Sequence, residues 1–150
     1  MPIDYRIYPA NWKKEIRPAV LARADHRCER CGVRNYSVGH RNSRGEFVGV
    51  HGNIALDLAG EGLLYPSLAH LTHKEARQIA DGLNDPDMEN ETHYIVIVIS
   101  IAHLDHNVEN NDMSNLQALC QKCHLAHDRV DNGTRRRFGK YFLKNQLALF

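Results

Sequence analysis

The apolar positions along this chain change period several times, and each change marks an element. Between Asn11 and Ala24, Trp12, Ile16, Val20 and Leu21 recur at three- to four-residue spacing and predict a short helix. Pro18 must lie in its first turn or kink it, because proline has no N–H to donate. From Val33 to Asn90 the pattern is fainter. Phe47, Val48 and Val50 suggest a short strand, and Gly49, Gly52, Gly60 and Gly62 read as loop. One helix stands out there. Thr72 and Glu75 are spaced as a capping box, and Ala76, Ile79, Ala80 and Leu83 follow at helical spacing. It should end between Gly82 and Asp85, before Pro86. His93 to Ile101 is apolar at nearly every position and reads as a strand covered on both faces. Leu104 to Met113 is a polar loop, and Asn115 to Leu119 a short turn or strand. A helix should then carry His124, His127 and Asp128. After Gly133, Thr134 is placed to cap a last basic helix bearing Phe138, Phe142 and Leu143.

Length and composition fit one globular domain, residues 1–150, with a modest core. The chain has 150 residues, of which 43% are hydrophobic and 25% charged. The N-terminus lacks the apolar segment of a secretory leader, and the longest apolar run, Ile95 to Ile99, is far too short to span a bilayer. A cytoplasmic location is the expectation.

Net charge is only +1, so bulk charge does not mark a nucleic-acid binder. Its distribution changes that picture. Arg6, Lys13, Lys14, Arg17, Arg23, Arg27 and Arg30 gather near the start, and Arg129, Arg135, Arg136, Arg137, Lys140 and Lys144 near the end. Acidic residues collect between Asp81 and Glu91. A basic surface is therefore available without a basic protein.

The four cysteines carry the clearest chemistry. Cys28 and Cys31 form one Cys-x-x-Cys pair, and Cys120 and Cys123 form another about 90 residues later. Each pair presents two thiolates from one tight turn, and Gly32 permits the turn after the first pair. Two such turns complete a tetrahedral Zn²⁺ shell. In a reducing compartment they read as metal ligands before disulfides. No thioredoxin-like βαβ pattern surrounds either pair, which argues against redox chemistry. The spacing is far longer than in a small zinc finger. It describes a clip with residues 33–90 inserted between its two halves.

The order Ala102-His103-Leu104-Asp105, Asn110-Asn111, then Asn115-Leu116-Gln117-Ala118-Leu119-Cys120-Gln121-Lys122-Cys123-His124 resembles the HNH endonuclease superfamily. Tyr8-Pro9, Trp12 and Arg23-Ala24 leading into Cys28-Glu29-Arg30-Cys31-Gly32 resemble its zinc-containing, phage-type branch. The motifs span about a third of the chain and exclude residues 33–90. The resemblance implies an α+β fold: a ββα-metal core, a structural zinc knuckle pair and a helical insertion. It implies a metal-dependent DNA endonuclease, with DNA as partner. His103 would be the general base. Asn115 would either fix the loop carrying that base or give an oxygen to the metal. His124 would be a ligand of a catalytic Mg²⁺ or Mn²⁺, with Ni²⁺ or Zn²⁺ also acceptable to a mixed shell.

One position departs from the family. The residue before the base is usually a metal-binding Asp or His, and here it is Ala102. Asp128, four residues after His124, shares its helix face. His127 is a rival for the same task, and Asp105 is a candidate third ligand. Arg135, Arg136, Arg137 and Lys140 are the expected phosphate contacts. Two alternatives stay open: a zinc-stapled DNA-binding module left weak or inactive by Ala102, and a zinc-dependent protein-interaction module.

Overall fold

The structure, a computed structural model, describes residues 5–50, 71–87 and 91–139. Among these residues it is a small α+β fold with three helices and two small antiparallel sheets. The chain divides into two compact units, one of Met1–Cys31 with Ser100–Phe150 and the other of Gly32–Ile99. The expected insertion, residues 33–90, is thus the body of a separate unit that runs on to Ile99.

The first unit opens with a 3-10 turn, Tyr5–Ile7, and a wide turn, Trp12–Ile16, before helix α1, Arg17–Arg23. The expected single helix is therefore split. Pro18 sits in the first turn of α1, where a missing N–H costs nothing. Upstream, Ile16 N–H reaches back five residues to the Asn11 carbonyl at 3.3 Å. Trp12, Val20 and Leu21 are buried. Strands β4, Ile99–His103, and β5, Leu116–Cys120, pair with each other, and α3, Gln121–Phe138, follows directly. Ile101, Leu116, Ala118 and Leu119 are buried beneath them.

Helix α3 is continuous through Gly133, where a second helix was expected to begin. A mid-helix glycine costs about 1 kcal/mol, too little to break a helix held by its neighbours. The Thr134 hydroxyl does not cap. It donates to the Val130 carbonyl one turn back, at 3.0 Å. Arg135 Nε also spans the supposed break, lying 2.7 Å from the buried Asp131 carboxylate.

The middle unit is not simply helical. It holds β1, Val38–Arg41; β2, Phe47–Gly49; and β3, Ile95–Val96, in the order β2-β1-β3, with α2, His73–Leu83. Antiparallel pairing sets His40 opposite Val48 and Val38 opposite Val96. Gly39 is required where β1 meets β2, since a Cβ there would lie 2.2 Å from the Val48 carbonyl oxygen. The expected capping box of α2 is present, with Glu75 N–H on the Thr72 hydroxyl at 3.3 Å and Thr72 N–H on the Glu75 carboxylate at 2.7 Å. Ala76, Ala80 and Leu83 of α2 are buried with Val38, Val50 and Val96.

The long apolar run from His93 is divided between the two sheets. Ile97 pairs with Tyr36 and Ser37, and the buried Asn35 amide accepts from Ile99 N–H at 2.8 Å. These bonds end β3 and release the chain into β4. Ile97 and Ile99 are both fully buried, which explains why the sequence shows no alternation there.

Gly133→Ala tests the continuous helix. The position is exposed and a Cβ there meets nothing within 4 Å. Urea unfolding should show a gain of about 0.5–1 kcal/mol. A loss would mean that Gly133 needs its conformational freedom after all.

Candidate metal centre and histidine cluster

The first knuckle is positioned by an ion pair that fastens it to β5. Asp25 and His26 take the left-handed region, at φ 49° and 53°, and reverse the chain after α1. Glu29 N–H then donates to the Ala118 carbonyl at 2.9 Å, and the Glu29 carboxylate accepts from Ala118 N–H at 2.6 Å. Arg23 grips the same carboxylate at 3.1 Å, the Leu116 carbonyl at 2.6 Å and the Met113 carbonyl at 2.7 Å. Gly32 closes the knuckle at φ 74°. The second knuckle is the start of α3, with Cys120 as its N-cap residue and Cys123 in its first turn. A helix N-terminus favours thiolates there.

The four sulfurs lie within 4.8 Å of one another. Cys31 Sγ and Cys120 Sγ are 3.7 Å apart. That is far too long for a disulfide, at about 2.05 Å. It matches the edge of a tetrahedron with Zn–S bonds of about 2.3 Å, which is about 3.8 Å. The electrostatics also fit a cation. Burial opposes the Cys28 thiolate, but the N–H groups of Cys120, Cys31 and Arg30 outweigh it and bring its pKa down to about 7. Burial, and then the neighbouring sulfurs, push the Cys123 thiol up. Without positive charge the sulfurs cannot all ionise together. These four side chains are close enough to hold a structural metal such as zinc, as their spacing suggests.

The loop between β4 and β5 is ordered by carboxamides. Asp105 accepts from Asn107 N–H at 2.9 Å, Asn110 Nδ2 at 2.8 Å and Asn115 Nδ2 at 2.9 Å. Asn115 also accepts from Asp105 N–H at 3.1 Å and donates to the Asn110 carbonyl at 2.9 Å. The Asn107 amide, followed by Asn110 and Asn115, holds the Asp105 carboxyl at a pKa of about 2. Of the two roles open to Asn115, these bonds correspond to fixing the loop. They also occupy both oxygens of Asp105. The third-ligand expectation meets a competing use, and Asp105 belongs to neither group of converging ligand atoms found among the described residues.

His103 ends β4 and is buried. Its ring stacks on Trp12, with centroids 5.4 Å apart and planes at 15°, and Tyr8 lies beyond at 6.0 Å. Its Nε2 is 3.1 Å from Asn111 Oδ1. Asn111 Nδ2 donates to the Val108 and Glu109 carbonyls at 3.2 and 3.1 Å, so its oxygen must face the imidazole. His103 therefore carries its proton on Nε2 and its lone pair on Nδ1. Asn111 sets the tautomer, a role not assigned to it from sequence. Trp12 and Tyr8 fix the ring plane.

Helix α3 presents His124, His127 and Asp128 on neighbouring turns. His124 Nε2 is 3.4 Å from Asp128 Oδ2, and its Nδ1 is 2.6 Å from Ser100 Oγ. Ser100 also reaches the Leu119 carbonyl at 3.3 Å. A Ser100 hydroxyl that donates to Leu119 accepts from His124 Nδ1–H, which leaves the Nε2 lone pair facing the Asp128 carboxylate. Desolvation lowers the His124 pKa, with the Asp128 charge opposing it. His106 lies against the same carboxylate, with Nδ1 3.4 Å from Asp128 Oδ1. Expected to face solvent, it is half-buried. Its φ of 56° put it beyond simple pattern reading. Ala102, which precedes His103, is buried at 1% exposure and offers no ligand.

The basic residues of α3 are partly committed. Arg135 is paired with Asp131, and the Arg137 guanidinium lies 5.4 Å from the Phe138 ring centroid. Arg135, Arg136 and Arg137 are all exposed, while Lys140 lies outside the described residues. No helix among the described residues is long and apolar enough to cross a membrane. No family model, curated protein or solved structure matches this chain.

Two measurements follow. Cys28→Ser and Cys120→Ser should each lose bound zinc and stability together, read by metal analysis and thermal unfolding; one zinc per chain retained in both would contradict a four-sulfur site. A carboxyl NMR titration should place Asp105 near pH 2, against an ordinary value of 3.8. The sign follows from a depressed pKa: the loop's stabilisation is complete above pH 3.8 and is lost as pH falls through about 2. Asn115→Ala should raise that titration point.

Proposed function

We propose that this chain is a metal-dependent DNA endonuclease of HNH type, hydrolysing phosphodiester bonds. The observation that supports it most is His103: a buried imidazole at a strand end, with a tautomer that leaves Nδ1 basic. A structural imidazole needs no such preparation. A general base does, since its reactive nitrogen must be both deprotonated and aimed.

In this reading His103 Nδ1 takes a proton from the attacking water. Asn111 holds the opposite nitrogen protonated throughout, and Trp12 prevents the ring from turning. Asn115 and Asp105 keep the loop in register with the base. His124 and Asp128 are the side chains that would hold the catalytic divalent ion. When bound, such an ion supplies Lewis-acid polarisation of the phosphate and charge neutralisation at the departing oxygen. The structural zinc of the four cysteines would anchor the start of α3, and with it His124, one residue past Cys123.

Arg136 and Arg137 of α3, with Arg30 of the first knuckle, supply positive charge for the phosphate backbone. Arg135 contributes less because Asp131 neutralises it. Contacts of this kind bring affinity with little sequence reading. The buried Ala102 favours the second reading, a zinc-stapled DNA-binding module with little activity.

Plasmid incubated with the protein and Mg²⁺, Mn²⁺ or EDTA separates the two. Nicking should require metal and fall by at least about 100-fold in His103→Ala, the usual scale of general-base loss. Asn111→Ala should shift the pH–rate profile, since the base loses its fixed tautomer. DNA binding without nicking in any metal would replace the enzyme with the binding module.

A further inference from the structure

Arg136 and Arg137 belong to a longer seam on the outward side of α3. Lys122, Ala126, Arg129, Gly133, Arg136 and Arg137 all lie on that side, and all are exposed. We infer that this seam is a second DNA surface, which holds a stretch of duplex other than the one offered to His103. The inference rests on the nuclease reading for where the cut strand lies, but the seam itself is read from α3 alone.

Lys122, Arg129 and Arg136 stand seven residues apart and form one row along the helix. At about 1.5 Å per residue the steps are about 10.5 Å, and the row drifts by only about 20° at each step. Ala126 and Gly133 fall along the same row, with Arg137 just beside it. Short side chains between long cations let another rod come close to the helix backbone, and a Cβ at Gly133 would meet nothing within 4 Å. On one flank a groove of about 540 Å³ is lined by Arg129, Val130, Arg137 and Phe138. Val130 there is 80% exposed and offers an apolar contact between the cations.

The charges on α3 are sorted by side. Its acidic residues are Asp128 and Asp131. Both turn away from the seam, by about 140–160° around the helix. Asp131 is buried and paired with Arg135, and Asp128 faces His106 and His124. A merely solvated helix face mixes the two signs as i,i+4 pairs. A face of one sign fits a partner of the other, and duplex DNA supplies one negative charge about every 1.7 Å of its axis. An α-helix of about 10–12 Å diameter also fits the major groove, which is about 12 Å wide.

The same rotation separates the seam from the place of cutting. His124 and Asp128, the side chains proposed to hold the ion, lie about 140–180° around α3 from Gly133. A phosphate near them is on the far side of a rod about 10 Å thick. Duplex DNA is stiff over about 150 base pairs. A short straight duplex therefore touches one side of α3 and not the other. Arg129 and Arg136 are left to bind a second segment.

The test uses the full, zinc-loaded chain without added divalent ion, so that DNA stays uncut. One short duplex is fixed to beads and a second, fluorescent one is offered in solution, both far below the stiffness length of about 150 base pairs. Beads should capture the label only when protein is present, and sedimentation should find one chain with two duplexes. Arg129→Gln combined with Arg136→Gln should cut capture by at least about tenfold, since two phosphate contacts are removed, while binding of a single duplex persists. The slope of log capture against log salt should fall by about 2. Both side chains are exposed, so the thermal midpoint should stay where it is. No capture, undiminished capture by the double variant, loss of all DNA binding in that variant, or two chains in each captured complex would each overturn the inference. Plasmid nicking with added metal scores the nuclease reading separately. Nicking without capture sinks only the second surface, whereas capture without nicking sinks only the nuclease reading.

Discussion

Four sulfurs from opposite parts of the chain must meet at one point, and most of the first unit is arranged to allow it. Cys28 and Cys31 arrive from a reversed turn after α1, and Cys120 and Cys123 from the start of α3. Closing so long a loop costs chain entropy that grows only slowly with its length, so a large insertion is tolerated at little extra cost. The remaining difficulty is electrostatic. Like charges at 3.7 Å repel, and the opposed shifts of Cys28 and Cys123 express that conflict. A divalent cation is the natural resolution. Arg23 and Glu29 solve the mechanical part, since they lock the first knuckle to β5 whatever the sulfurs hold.

That anchoring fixes where α3 begins, and the beginning of α3 fixes the histidines. His124, whose imidazole faces Asp128, directly follows Cys123 of the knuckle. A slip of one residue would rotate His124 by about 100° around the helix. The loop before β5 is held to comparable precision by different means. Asp105, Asn110 and Asn115 bond one another and Asn111 bonds the loop's own carbonyls, so a twelve-residue connection needs no apolar core of its own. Asparagine suits this task because one amide both donates and accepts, and its two ends are chemically distinct. At Asn111 that distinction determines which nitrogen of His103 carries the proton.

Much of this was legible in the sequence. The capping box at Thr72 and Glu75, the helix after Cys120 and the pairing of two Cys-x-x-Cys turns depend on local spacing, and local spacing is what a sequence displays. The nature of the middle unit was less accessible. Its sheet depends on pairing between β1 and β3, more than fifty residues apart, and β3 is only two residues long. The apolar run from His93 hid a boundary, because both strands are buried and no polar residue marks the change of partner. The supposed break at Gly133 failed for the opposite reason. A local signal was present, but the buried Asp131 and its bond to Arg135 cost the helix less to keep than to interrupt. The stretch around Gly52, Gly60 and Gly62 lies outside the described residues.

The candidate site divides along the same line. His103, Asn115 and His124 were candidates from their order in the sequence, whereas the contacts of Asn111 with His103 and of His106 with Asp128 were not legible there. Motif reasoning points to candidate residues but not to those that determine tautomer or ring plane, because these act through distances. Asp105 shows the hazard in reverse. A carboxylate two residues after a candidate base reads as a ligand, yet here it accepts three hydrogen bonds within its own loop. Each of those donors would have to be released before an ion could bind, and the depression of its pKa to about 2 measures how strongly they hold the charge.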